Sequence, residues 1–197
     1  YCATNPDATI RYKASKMVLN VHSDASYLSE TEARSRAGGL FSLGSEDKDG
    51  PLNGPLLATT TIMKVVVASA AEAELGALFE NCKKATVLRT TLEEMGWPQP
   101  ATPVQTDNST ACGIANETVK QQRSRAIDMR FYWVRDRTKQ GHFDIYWRPG
   151  NTNMADYFTK HHPAKHHQLM RPHYLHIKEN NEMTTNTLQQ ALLVLQG

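Results

Sequence analysis

The chain has 197 residues, of which 40% are hydrophobic and 21% are charged, and its formal net charge is +2. This length allows one domain with terminal extensions and a sizeable core, and it excludes two full-sized domains. The mild charge excludes a generally basic surface. The three cysteines have no metal-ligand spacing, which favours reduced intracellular thiols. No apolar run is long enough to cross a membrane.

The first predicted strand follows a connector, residues 1–16. From Met17 to His22 apolar and polar residues alternate with period two, and Ser23-Asp24-Ala25-Ser26 interrupts the alternation. This pattern predicts a strand that ends at Asp24, where a rigid element would hold an acid suited to metal binding. A simple turn is the alternative, because Asp and Ser are common turn residues.

Two further strands are predicted before the first helix. Gly38–Gly44 is close in sequence to the first strand, and a third strand falls within Leu56–Val67, which is rich in Val, Ile and Thr. The short links between these strands predict an antiparallel meander.

A long helix is predicted to start at Ser69. Ser69 and Glu72 have the spacing of a capping box, and apolar residues recur at helical spacing as far as Met95. Glu72 is thus explained by capping. Glu74 points about 200° away around the helix and lies beside Leu75 on the buried edge, so it needs another explanation.

The second half of the chain alternates between strands and helices, which predicts parallel pairing. The predicted elements are a strand over Pro103–Asp107, a helix from Ser109 to about Val119, a helix over Ile127–Thr138, a strand over His142–Trp147 and a helix that carries Asp156.

The last part of the chain, residues 161–197, is predicted to be a tail that holds six of the eight histidines. A short amphipathic helix could form over 184–195. His162, His166 and His167 could share a helix face and bind zinc, but we favour a solvated, weakly basic tail.

Four acids lie where buried or rigid elements would hold them: Asp24, Glu74, Asp107 and Asp156. If these carboxylates converge, they repel one another unless a cation neutralises them. Hard oxygen ligands in this number favour magnesium or manganese, and two such ions can promote in-line phosphoryl displacement.

Five segments, taken in order, resemble motifs of the ribonuclease H domain of copia-type retrotransposon polyproteins. They are NVHSDASYL, SAAEAELGALF, QTDNSTACGIAN, RAIDMRFYWVRD and NMADYFTK, and the resemblance spans residues 1–171. It implies a ribonuclease H-like α/β fold over residues 17–160, with a five-stranded mixed sheet of an antiparallel meander plus parallel strands, flanked by helices. It also implies that Asp24, Glu74, Asp107 and Asp156 are catalytic and bind two Mg²⁺ ions, with Mn²⁺ as a substitute.

The resemblance further implies an endonuclease that hydrolyses the RNA strand of RNA/DNA hybrids. Its partners would be the hybrid and the polymerase domain of the same polyprotein, without a membrane, in the cytoplasm or within virus-like particles. Because the chain begins with Tyr1 and not with Met, we expect it to be a segment of a longer protein. The alternatives are a catalytically inactive, connection-type domain that positions the hybrid, and a DNA transposase or integrase-like nuclease on the same fold.

Basic residues are concentrated between Thr118 and Arg148, a stretch that contains eight Lys or Arg and only three Asp. An ordinary solvated face is one interpretation. Given the resemblance, we favour contacts with the phosphates of the hybrid. The predicted contact residues are Ser109, Arg123, Arg125, Arg130 and Arg137.

Overall fold

A computed structural model describes residues 6–118 and 129–176. The strands are β1 (Val18–Glu30), β2 (Arg34–Gly44), β3 (Leu57–Ile62), β4 (Thr102–Thr106) and β5 (Phe143–Trp147). The helices are α1 (Ala70–Glu94), α2 (Ser109–Ala115), α3 (Met129–Lys139) and α4 (Ala164–Tyr174).

The five strands form one mixed sheet in the order β3-β2-β1-β4-β5. β1 pairs antiparallel with β2, and β2 pairs antiparallel with β3, which is the predicted meander. β4 joins β1 in parallel, and β5 joins β4 in parallel. The predicted fold class, a five-stranded mixed sheet flanked by helices, is therefore confirmed.

The period-two pattern of β1 divides its side chains between the two faces of the sheet. Leu19 and Val21 pack in the core with residues of α1, α2, α3 and the neighbouring strands. His22 points to the other face, where its Nδ1 accepts a hydrogen bond from the backbone N–H of Met154 at 3.1 Å. The chain after β5 thus covers the face opposite α1, so that Asp24, two residues after His22, meets that segment.

The start of α1 confirms that Glu72 serves the cap. Ser69 Oγ accepts a hydrogen bond from the Glu72 backbone N–H at 3.2 Å. The Glu72 carboxylate accepts in return from the N–H of Ala68 at 2.6 Å, one residue before the cap. The carboxylate therefore satisfies a free amide just before the helix. In a capping box it would bond to the N–H of the cap residue, Ser69, whereas here it bonds to the N–H of the residue before it.

The sequence pattern predicted that β1 ends at Asp24, which is wrong, because the strand continues to Glu30. Its antiparallel pairing with β2 continues to Ser26 and resumes at Glu30, whereas its parallel pairing with β4 reaches only His22. Asp24 thus lies within a long strand, just beyond the last pair with β4. The pattern missed this because a two-stranded extension beyond the core needs no apolar alternation.

Two predicted helices are also shorter than expected. α2 ends at Ala115 instead of near Val119, and Asn116 forms its C-terminal cap. The helix predicted around Asp156 consists of two 3₁₀ turns, Gly150–Thr152 and Asp156–Phe158.

The histidine-rich stretch contains a helix, α4, which the sequence reading did not assign. Tyr174 at its end donates a hydrogen bond to the carbonyl of Met154 at 2.7 Å and packs edge-on against Phe158. α4 is thereby attached to the segment that follows β5. The helix predicted over 184–195 lies outside the described residues. Within the part of the chain that is described, no helix combines the length and the hydropathy of a membrane span.

Candidate metal centre

Three of the four predicted acids come together, and each comes from a different element. Asp24 lies on β1, Glu74 in the first turns of α1 and Asp107 directly after β4. If one carboxylate oxygen is taken from each acid, the three oxygens all lie within 4.8 Å of one another. Asp24 is 2% exposed and Glu74 is 5% exposed, whereas Asp107 is half-buried.

Glu74 is held by two hydrogen bonds from neighbouring strands. Its Oε1 accepts from the backbone N–H of Ala25 at 3.0 Å, and its Oε2 accepts from the hydroxyl of Thr106 at 3.3 Å. Burial, reinforced by the charges of Asp24 and Asp107, raises the pKa of Glu74 to about 9. Without a cation, Glu74 therefore carries a proton at neutral pH.

Asp24 is held by a residue on the face of the sheet opposite α1. The hydroxyl of Thr159 donates to its Oδ2 at 2.5 Å. Gly38, the cross-strand partner of Asp24, leaves the room for this contact, because a Cβ at that position would lie 2.6 Å from Thr159 Cγ2. Burial raises the pKa of Asp24 to about 6; the bond from Thr159 acts in the other direction, and the charge of Asp156 acts in the same direction.

Asp107 is enclosed by the last residue of β5 and by the segment that follows this strand. The indole N–H of Trp147 donates to its backbone carbonyl at 2.9 Å. A Cβ on Gly150 would lie 2.7 Å from Asp107 Oδ2, so only glycine allows this close approach. Burial and the charge of Asp156 raise the pKa of Asp107.

Asp156, the fourth predicted acid, lies outside the group of three. It sits on the 3₁₀ turn Asp156–Phe158, and its Oδ1 accepts a hydrogen bond from the ammonium of Lys160. Its negative charge still raises the pKa values of Asp24 and Asp107, so it borders the cluster. Its assignment as a metal ligand stays a prediction.

The donor set fits a hard divalent cation. In residues 6–118 and 129–176 this acidic trio is the one group of three or more His, Cys, Asp or Glu side chains that could hold a metal. Its donors are all carboxylate oxygens, which Mg²⁺ and Mn²⁺ prefer. The raised pKa values of Asp24 and Glu74 point the same way, because a cation would neutralise the repulsion that contributes to them.

The histidines do not form such a group. The rings of His162 and His166 stack with centroids 4.2 Å apart, and Tyr157 Oη lies 2.6 Å from His167 Nδ1. Stacked rings do not direct their nitrogen atoms to a common point, which argues against the zinc alternative.

The predicted nucleic-acid-binding residues are more scattered. Ser109 is exposed at the first position of α2, and the cap of that helix is the preceding Asn108. Arg130 and Arg137 lie on α3, and Arg130 borders a groove that also carries Lys64 and Lys83. Arg123 and Arg125 lie outside the described residues.

The sequence reading missed the residues that support the acids. They are Thr106, Thr159, Gly38 and Gly150. Thr106 directly precedes Asp107, and Thr159 lies three residues after Asp156, so both were within the motifs that drew attention to the acids. Nothing in those motifs indicates which acid each hydroxyl contacts.

Comparisons with known proteins agree with this architecture. No protein-family model matches the chain. Over 161 residues, or 81% of this chain, the sequence is 26% identical to the retrovirus-related Pol polyprotein from transposon TNT 1-94 of Nicotiana tabacum. The matched region is 12% of that polyprotein, so the chain spans about an eighth of its length.

The fold is similar to solved ribonuclease H structures. For the N-terminal ribonuclease H domain of a Mycobacterium tuberculosis protein, the TM-score is 0.53 at 13% identity, over 73% of this chain and 91% of that chain. For a ribonuclease H1 isolated from compost, it is 0.52 at 12% identity, over 72% of this chain and 92% of that chain. The same compost enzyme in complex with an RNA/DNA hybrid gives 0.51 at 12% identity, over 71% of this chain and 92% of that chain. The predicted resemblance to the ribonuclease H domain of a retrotransposon polyprotein is therefore confirmed.

Proposed function

We propose that this chain, a ribonuclease H domain of a retrotransposon polyprotein, hydrolyses the RNA strand of RNA/DNA hybrids. The convergence of Asp24, Glu74 and Asp107 from three separate elements is the observation that supports this most strongly. Residues so far apart in sequence have no shared local reason to meet, and their mutual repulsion destabilises the metal-free protein. A site assembled against this cost is typical of catalysis.

Asp24, Glu74 and Asp107 would hold the metal, and Asp156 would complete the set from the edge. Two divalent ions, when bound, supply an activated attacking water and charge stabilisation at the leaving oxygen. Water attacks the phosphorus, the bond from phosphorus to the 3′ oxygen breaks, and the products carry a 3′-hydroxyl and a 5′-phosphate. The chain supplies ionised carboxylates in fixed places, because Ala25 and Thr106 hold Glu74 while Thr159 holds Asp24.

The hybrid would lie over the carboxylates and along the basic surface of α3. Arg130 shares its groove with Lys64, Lys83 and one acid, Glu80, and this excess of positive charge supports phosphate binding there. Ser109, Arg123, Arg125 and Arg137 are proposed as further phosphate contacts. The polymerase domain of the same polyprotein is the proposed protein partner, and the cytoplasm or a virus-like particle is the proposed location.

The direct test uses hybrids labelled on the RNA or on the DNA strand, incubated with Mg²⁺, Mn²⁺ or a chelator. We expect metal-dependent cleavage of the RNA strand alone, with no cleavage by Asp24→Asn. Double-stranded DNA and double-stranded RNA serve as control substrates. Hybrid binding without cleavage under any metal would indicate a connection-type domain, and cleavage of double-stranded DNA would indicate an integrase-like nuclease.

The basic surface has a separate test. We expect Arg130→Gln combined with Arg137→Gln to weaken hybrid binding equally for different sequences, because phosphates carry no sequence information. Affinity falls as salt rises, and the plot of log affinity against log salt should become less steep by about 0.9 for each phosphate contact that is lost. Arg11→Gln, on the exposed segment before β1, is the matched control. An unchanged slope in the double variant would show that this face is merely solvated.

A further inference from the structure

Trp147 combines exposure with a fixed position beside the acids. It is the last residue of β5, pairs in parallel register with Thr106 and remains 48% exposed. The next residue, Arg148, donates its backbone N–H to the Thr106 carbonyl at 3.1 Å. The backbone on which Trp147 stands is therefore tied to the strand end that precedes Asp107.

The indole of Trp147 is also directly bonded to the candidate metal centre. Its N–H donates to the backbone carbonyl of Asp107 at 2.9 Å. This bond fixes the Asp107 peptide, while Gly150 lies against the Asp107 carboxylate. The ring is thereby held in one place with a large part of its surface in water.

The other tryptophans have different surroundings. Trp133 packs edge-on against Phe79 at 5.5 Å and also lies near Phe143. Trp97 is 46% exposed, but it follows the end of α1, where its backbone N–H bonds to Leu92. Of the three tryptophans, Trp147 is the one that contacts an acid of the metal centre.

We propose that Trp147 is a substrate-positioning residue. Its N–H holds Asp107 in place, and its exposed ring packs on the sugar face of a hybrid nucleotide next to the cleaved phosphate. This rests on the proposed function. Because the bases of a duplex are stacked on each other, an aromatic side chain outside the duplex meets sugar and backbone, and Trp offers a rigid apolar surface for this contact.

Two substitutions separate the roles of the N–H and the ring. Trp147→Phe keeps an aromatic face and loses the N–H, so we expect weaker metal binding by up to ~10-fold and an almost unchanged KM for the hybrid. Trp147→Ala loses both, so KM should rise by about 3–10-fold in addition. A residue that only stabilised the fold would lower the melting temperature without separating metal affinity from KM.

Binding can be measured without cleavage in an Asp24→Asn background. Tryptophan fluorescence is titrated with a hybrid in variants that carry Trp147→Phe, Trp133→Phe or Trp97→Phe. We expect the change on hybrid binding to disappear only with Trp147→Phe. A full change in that variant, or equal KM values for the Phe and Ala variants, would overturn the ring contact.

Metal binding gives a readout that does not depend on the hybrid. With Asp24 intact, free Mn²⁺ is followed by electron paramagnetic resonance as each protein is added. Weaker Mn²⁺ binding by Trp147→Phe than by Trp97→Phe supports the role of the N–H, and equal binding refutes it. If Trp147→Phe alters Mn²⁺ affinity but the unaltered chain neither binds nor cuts the hybrid, the proposed function and the ring contact fail while the link to Asp107 holds.

Discussion

The four predicted acids form two pairs that the protein holds in different ways. The inner pair, Asp24 and Glu74, is almost fully buried and accepts hydrogen bonds from Thr159, Ala25 and Thr106. The outer pair, Asp107 and Asp156, is partly exposed; one acid follows a strand end, and the other lies on a 3₁₀ turn beside Lys160.

This difference separates two requirements of a metal site. The inner acids stand on the long elements β1 and α1, so we expect their positions to stay the same when a cation binds. Their cost is burial away from water, to which charge repulsion adds, and both effects raise the pKa values of Asp24 and Glu74. The outer acids stand on short segments: Trp147 holds the Asp107 backbone, and Asp156 lies on a 3₁₀ turn. The comparison predicts that changes to the inner pair affect both stability and catalysis, whereas changes to the outer pair affect mainly catalysis.

The largest effect is expected from Glu74→Gln. The amide cannot supply the negative charge, so cleavage should fall by more than ~100-fold, since even supporting groups of metal ligands are worth 10–100-fold. At pH 8 the buried Glu74 must take up a proton when the metal-free protein folds, whereas Gln need not, so the variant should be more stable than the unaltered chain at that pH. Cleavage assays and thermal unfolding with a chelator test both parts. An active Glu74→Gln variant would remove Glu74 from the site.

A smaller effect is expected from Thr159→Val, which keeps the shape of the side chain and removes the donor to Asp24. Loss of such a supporting bond should weaken Mn²⁺ binding by about 10–100-fold. Thr90→Val is the matched control, because the Thr90 hydroxyl donates to the backbone carbonyl of Thr86 within α1. Equal Mn²⁺ affinity in the two variants, measured by calorimetry, would show that Asp24 needs no support.

The pH dependence of stability should also distinguish the pairs. In the metal-free protein the pKa of Glu74 is about 9 and that of Asp24 about 6, against ordinary values of 4.5 and 3.8. For each acid, between its ordinary pKa and its raised pKa, the folded state binds more protons than the unfolded state. The free energy of unfolding therefore falls as pH rises through that range. Their contribution is fully present below about pH 4 and is lost as pH rises through about 6 for Asp24 and about 9 for Glu74.

Thermal unfolding from pH 5 to pH 9 with a chelator measures this slope. Glu74→Gln should flatten it, whereas Asp156→Asn should keep most of it because both inner acids remain. Added Mg²⁺ should also reduce the slope by stabilising the ionised carboxylates. A slope that is the same in the Gln variant would assign the pH dependence to other groups.

The smallest effect is expected from Glu72→Ala, two residues before Glu74 on the same helix. Glu72 and Ser69 form the cap outside the metal centre, so the variant should lose about 0.5–2 kcal/mol of stability and keep its activity. Urea unfolding and cleavage assays check this. A stable but inactive Glu72→Ala variant would exchange the roles of the two glutamates.

Local patterns predicted much of the fold and singled out the three acids that the structure brings together. Period-two alternation located β1, the capping spacing located α1, and the angle around that helix distinguished Glu74 from Glu72. The supporting contacts could not be predicted in this way. Thr159 and Asp24 are 135 positions apart, and the closeness of Gly150 to Asp107 depends on how the segment after β5 crosses the sheet. Such contacts exist only in the assembled tertiary structure.

β3 is an edge strand of the sheet, and its sequence bears on self-association of the chain in solution. It pairs with β2 on one side, its sequence Leu57–Ile62 contains no charge and no proline, and most of its residues are exposed. Natural edge strands are commonly protected by charges, proline or bulges, because open backbone groups are a template for another strand. Three threonines and an isoleucine favour such pairing. Within residues 6–118 and 129–176 no strand pairs with the outer side of β3. We therefore expect two copies of the chain to extend one ladder through β3, with self-association that grows with concentration and limits solubility.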